Sequence, residues 1–106
     1  MMTAIEQRRL DLQNVLENIL GSRNVYFQPP ESVRMEYPAI VYSRDDIEDI
    51  HANNDNYKRM FVFTVTVIDA DPDSEIVEKV ANMKYCSFNR HFTKDDLNHD
   101  IFRLYF

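Results

Sequence analysis

The fold class this sequence predicts is α+β: a mostly antiparallel sheet of about five strands with two helices on one face, in the order α-β-β-β-α-β-β. Two segments carry apolar residues at helical spacing behind helix-start signals, and five short segments are β-branched, aromatic or alternating. The strands do not alternate strictly with helices, which argues against a parallel βαβ sheet. At 106 residues, the chain is read as one domain spanning residues 1–106, because domains cluster near ~100–150 residues.

The first helix opens at Thr3-Ala4-Ile5-Glu6, a capping box in which the Thr hydroxyl accepts from the third helical N–H while Glu6 reaches back. Ile5, Leu12, Val15, Leu16, Ile19 and Leu20 form its apolar stripe, and Gly21 supplies the left-handed cap. Asn24-Val25-Tyr26-Phe27-Gln28 is a short strand stopped by Pro29-Pro30, which lack the N–H groups to extend a ladder. Ala39-Ile40-Val41-Tyr42-Ser43 is a second strand behind Pro38. Residues 44–58, polar and acidic around Asn53-Asn54-Asp55-Asn56, read as a long connecting loop or hairpin tip. Residues 59–69 place Phe61, Phe63, Val65 and Val67 on one face and Met60, Val62, Thr64, Thr66 and Ile68 on the other, the pattern of a central strand. Asp71 is expected to cap the second helix, with Pro72 at its first position and the carboxylates of Asp73 and Glu75 in its positive first turn. That helix is expected to run to about Lys84 with Ile76, Val77, Val80, Ala81 and Met83 or Lys84 facing the core. Residues 86–92 alternate, residues 93–98 form a turn cluster, and residues 99–106 alternate Asp100, Phe102, Leu104 and Phe106 against Ile101, Arg103 and Tyr105. These last two segments form a chain-ending hairpin.

Composition removes several function classes. With Gly21 as the only glycine, the chain cannot build a P-loop, a dinucleotide fingerprint, a nucleophile elbow or a kinase glycine loop. With Cys86 as the only cysteine, no intrachain disulfide or paired-cysteine zinc site can form. The first residues turn polar before any signal-peptide core develops. The longest apolar-rich run, residues 60–68, is far below the ~18–20 residues of a membrane span, so no membrane association is expected. A formal charge of −6, from 18 acidic and 12 basic residues, disfavours tight binding to phosphate backbones.

Catalytic and metal-binding readings find little support in the spacing. His51, His91 and His99 lack metal-ligand spacing, and the odd separation of Cys86 and His91 places them on opposite faces of one strand, with Cys86 expected in the core. The ladder Asp69, Asp71, Asp73, Glu75 resembles a calcium loop but has Ser74 where glycine is required and Val80 where a bidentate Glu is required. No cofactor and no metal are expected. The acidic run Asp45, Asp46, Glu48 and Asp49, with Asp55 beyond it, offers a charged contact or a channel-lining surface. Tyr26, Tyr42, Tyr57, Tyr105 and Phe106 are more aromatics than one small sheet is expected to hide, and a final strand running to Phe106 reads as an edge for subunit contact through Arg103, Tyr105 and Phe106.

Taken together, Tyr37-Pro38-Ala39-Ile40-Val41-Tyr42, the Asn-rich loop ending at Asn56-Tyr57, Phe63-Thr64-Val65-Thr66-Val67-Ile68-Asp69 with Asp71-Pro72-Asp73-Ser74, and Asp96-Leu97-Asn98-His99 with Phe102 and Tyr105 carry a resemblance. The chain resembles the small tail terminator (tail completion) and neck proteins of long-tailed bacteriophages. The resemblance implies a non-enzymatic α+β virion subunit, assembled in the host cytoplasm into a homo-oligomeric ring, usually six-fold. It implies the tail tube protein and the head-tail connector protein as partners, with DNA passing through without tight binding. An acidic lumen suits such a ring, and residues 44–57 carry five negative and one positive residue. The alternatives are a small intracellular enzyme, a hydrolase or nuclease using the acidic loop with His51, or a monomeric adaptor.

Overall fold

The central place in the sheet belongs to the run Tyr57–Asp69, as its two apolar faces demand. The computed structural model describes residues 2–51 and 57–106, and only the backbone of residues 50, 51, 57 and 58. Its elements are α1 (Ala4–Leu20), β1 (Val25–Phe27), β2 (Ala39–His51), β3 (Tyr57–Asp69), α2 (Glu75–Ala81), β4 (Cys86–Lys94) and β5 (Leu97–Tyr105). The five strands form one sheet in the order β1-β2-β3-β5-β4, parallel between β1 and β2 and antiparallel elsewhere. The α+β class and the element order are those the sequence predicts.

The helix ends follow local hydrogen-bond chemistry. At α1 the Glu6 amide donates to Thr3 Oγ1 at 3.1 Å, and Gly21 closes the helix at φ 79°, where its N–H donates to Glu17 O. At α2 the cap is Ser74, whose hydroxyl accepts from the Ile76 amide at 3.2 Å, and not Asp71. The acidic ladder builds the approach instead: Asp69 Oδ1 accepts from the Asp71 amide and Asp71 Oδ1 from the Asp73 amide, two successive Asx turns that leave Pro72 outside the helix. The helix ends at Ala81, short of Lys84.

Three strands differ from expectation. β2 continues through residues 44–51, the stretch read as loop, because the backbone of β3 pairs with it as far as His51 opposite Tyr57. The terminal hairpin turns on Asp95 and Asp96 alone, both at positive φ (54° and 64°), the geometry of a two-residue type I′ turn that Asp tolerates. Thr93, Lys94, Leu97 and Asn98 therefore belong to the ladder. β5, expected at the edge, lies between β3 and β4.

Both helices cover one face. Leu12 and Leu16 of α1 and Val80 of α2 join Ile40, Tyr42, Phe61, Phe63, Val65, Val67, Phe102 and Leu104 in a single buried cluster. Ile5, placed in the apolar stripe by its spacing, is exposed. Tyr42, expected among the aromatics the sheet cannot hide, is fully buried. Its hydroxyl donates to Gln13 Oε1, while Gln13 Nε2 donates to Val25 O at 3.0 Å, so one α1 side chain fixes the helix to β2 and β1 together.

Leu16→Ala removes a side chain with no exposed surface, and urea melts should show a loss of ~2–5 kcal/mol. Burial pushes the Tyr42 phenol above its ordinary value of 10.0, with the Arg9 charge opposing. The unfolded chain therefore loses this proton first. The stabilisation is complete below pH 10 and is lost as the pH rises from there through the raised folded value. Denaturant melts on either side of that window should show a smaller alkaline loss for Tyr42→Phe than for the wild-type chain.

Candidate functional site

Beyond Tyr42 the strand β2 leaves its partner β1 and turns acidic, and the register with β3 shifts between Arg44 and Asp46. Asp45 is the extra residue of a β-bulge. Before it, Ile40 and Tyr42 face the helices. After it Ile47, opposite Phe61, takes the helix side, while Asp46 and Glu48 stand on the open face opposite Val62 and Met60. The bulge thus sends two carboxylates of the run to the open face.

On that face the chain assembles a bridge across the central strand. Arg103 of β5 reaches over β3, donating through Nη1 to Asp45 Oδ2 and through Nη2 to Glu48 Oε1, both at 3.2 Å. The Tyr105 hydroxyl donates to the same Glu48 oxygen at 3.4 Å. Below lies Val62, in register with Asp46 on one side and Tyr105 on the other, and with no exposed surface although no helix covers it. Hydrogen bonding to Tyr105 and the charges of Asp45 and Glu48 push the Arg103 guanidinium still higher. Residues that the sequence assigns to two surfaces, an acidic lining (Asp45, Glu48) and a subunit contact (Arg103, Tyr105), thus form one cluster within the chain.

The remaining candidates lie apart from it. The Asp46 carboxylate accepts from the Ile47 amide at 2.8 Å. Asp49 meets Arg59 Nε at 2.8 Å, an ion pair with both side chains largely exposed. Phe106 continues the ladder, its amide donating to Phe61 O at 2.9 Å, with its ring against the core. Asp55 and the side chains of His51 and Tyr57 lie outside the described residues. A second bulge, between Phe88 and Arg90, brings His91 onto the same face as Cys86, contrary to the odd-spacing expectation. There His91 Nδ1 contacts Asp100 Oδ1 at 2.9 Å, and the half-buried Cys86 thiol is pushed up by burial. Among the described residues, no three His, Cys, Asp or Glu side chains gather to hold a metal ion, and no helix is long and apolar enough to cross a membrane.

A cavity of about 410 Å³ opens near the C-terminal end of β5, lined by Arg8, Lys84, Tyr85, Tyr105, Met60 and Phe106 among others. Its lining is largely apolar, with the cationic side chains of Arg8 and Lys84 and the phenols of Tyr85 and Tyr105 as its polar groups. No protein-family model, curated protein or solved structure matches the chain.

Arg103→Ala removes the side chain that bonds Asp45 and Glu48 to β5 simultaneously. Hydrogen exchange should quicken across residues 44–48 and at Val62 while the melting temperature changes little, because the bridge is largely exposed. Unchanged exchange would mean that the bridge does not hold the hairpin.

Proposed function

We propose that this protein is a ring-forming structural subunit of the neck of a long-tailed phage, a tail terminator that closes the tail tube and joins it to the head connector. The observation that carries the reading is the acidic β2–β3 hairpin. Beyond Ile47 and Phe61 it runs past the last pairing of β3 with β5, so its described outer part extends beyond the five-stranded part of the sheet. The longest dimension of the molecule is 51 Å against 30 and 23 Å for the others. Such an arm, repeated around a ring, presents carboxylates to whatever passes through it, and fixed negative charge keeps a phosphate backbone from sticking. Across residues 44–59 five carboxylates stand against Arg44, Lys58 and Arg59, and this net charge of −2 supplies that field. The ring's partners on this reading are further copies of the chain, the tail tube protein and the connector protein, and its place is the virion neck.

Electron microscopy of the purified protein, alone and mixed with tail tubes of the phage that carries it, tests the reading. Rings seated on one end of each tube are expected, and tubes left bare would overturn it. Changing Asp45, Asp46, Glu48 and Asp49 to their amides takes the formal charge from −6 to −2. That variant should keep its melting temperature within a few degrees, yet alter tail assembly or slow DNA passage in complemented phage.

A further inference from the structure

The sheet has two open edges. β1 shields β2 only at residues 40–42, and no strand of the described residues lies outside β2 beyond them. β4 pairs with β5 alone. Across the sheet β2, β3, β5 and β4 alternate in direction, so β4 of one copy laid against β2 of another continues the antiparallel alternation.

Hydrogen bonds show which backbone groups face outward. On β2 the Ile40 amide donates to Asn24 O and Tyr42 O accepts from Gln28, both on the β1 side. Farther along, the Arg44 and Ile47 amides are bonded to the side chains of Gln28 and Asp46. On β4 the Tyr105 amide donates to Tyr85 O, and alternation with the bulge at Asn89 turns Cys86, Phe88, His91 and Thr93 outward.

The side chains match on both faces. β4 carries Arg90 and Lys94 and no carboxylate, whereas residues 44–49 of β2 carry four carboxylates and one arginine. Arg90 and Lys94 share the open face with Asp46 and Glu48. On the helix face, Phe88 is 58% exposed and Ile47 is 40% exposed. Pairing β4 with β4 in a two-fold dimer would instead bring like charges together.

We infer that subunits join head to tail, with β4 of one copy pairing antiparallel with residues 44–49 of β2 in the next, a second copy of this chain being the occupant of each edge. The inference rests on the ring reading and names its interface. It moves the lateral contact from Tyr105 and Phe106, which are inside the sheet, to its two charged edges. Arg90 is level with Val41 across the sheet, while the open part of β2 centres near Ile47, so neighbours are staggered by about six residues, ~20 Å at ~3.4 Å per residue. A constant stagger tilts the strands relative to the ring axis, as in closed barrels.

The test places cysteines at Ile47 and His91, both outward on the helix face, in a Cys86→Ser chain, and treats the protein with a short bis-maleimide, free at high concentration and on tail tubes. Chains carrying both cysteines should give a ladder ending at the ring number, while either single variant stays monomeric and the two mixed give dimers only. Thr93→Pro removes an outward amide that bonds to nothing in β5, so it should keep the melting temperature while weakening assembly about tenfold or more. Rings on tubes without a ladder, or crosslinks from the His91→Cys chain alone, overturn this interface and leave the ring reading standing. A ladder without rings on tubes supports the interface and overturns the tail reading. No ladder under either condition overturns the interface.

Discussion

One extra residue decides what the acidic arm presents. Without Asp45 as a bulge, period-two alternation would carry Ile40, Tyr42 and Arg44 on to Asp46 and Glu48 on the helix side, next to the apolar row that ends in Phe61. Two carboxylates would then stand on the helix side, out of reach of Arg103 and Tyr105, while Ile47 would stand among charges on the open face. The bulge exchanges these outcomes. It sets Glu48 within reach of Arg103 and Tyr105 and leaves Ile47 on the helix side beside the arm's outer edge.

β3 is buried on both faces, but by different means. The helix side is closed by Leu12, Leu16 and Val80, and α1 is pinned there by Gln13 to Tyr42 and Val25. The open side has no second layer, and Val62 is nonetheless inaccessible because long polar side chains from β2 and β5 meet above it. Apolar stems of Arg and Tyr supply such cover while their polar ends remain in water. The arm adds to its backbone ladder exposed ion pairs that salt screens, whereas the body depends on apolar burial that salt does not weaken.

The legible parts of the sequence were those where the pattern and the physics coincide. Leu12 and Leu16 at helical spacing, Thr3 with Glu6, Gly21, and the doubly apolar β3 all follow from burial or capping that one segment can announce by itself. Residues 44–51 announce nothing, because their strand form comes from a partner ladder and their side chains lack alternation. The same holds for Asp71, which has a cap's chemistry but lies in a turn that Ser74 completes, and for Asp95 and Asp96, whose positive φ values are imposed by the hairpin. Of the candidate site, the residues were legible and their grouping was not. Arg103 meets Asp45 and Glu48 only because β5 inserts between β3 and β4, a strand order that local sequence does not encode.

Edge strands are usually guarded by lysine, arginine or bulges, which repel or misfit an arriving strand. β4 carries such guards in Arg90, Lys94 and the Asn89 bulge, yet it also exposes Phe88 and Phe92. The open half of β2 carries the opposite set, carboxylates and its own bulge. Each edge therefore repels its own kind and attracts the other, and each must give up local side-chain bonds, such as Asp46 to the Ile47 amide, before it can pair. On the inferred interface, copies would stay apart at low concentration, because the encounter would have to replace bonds already made. They would add in one direction once a template held neighbours side by side, since the template would supply the positional entropy that two free copies would have to lose.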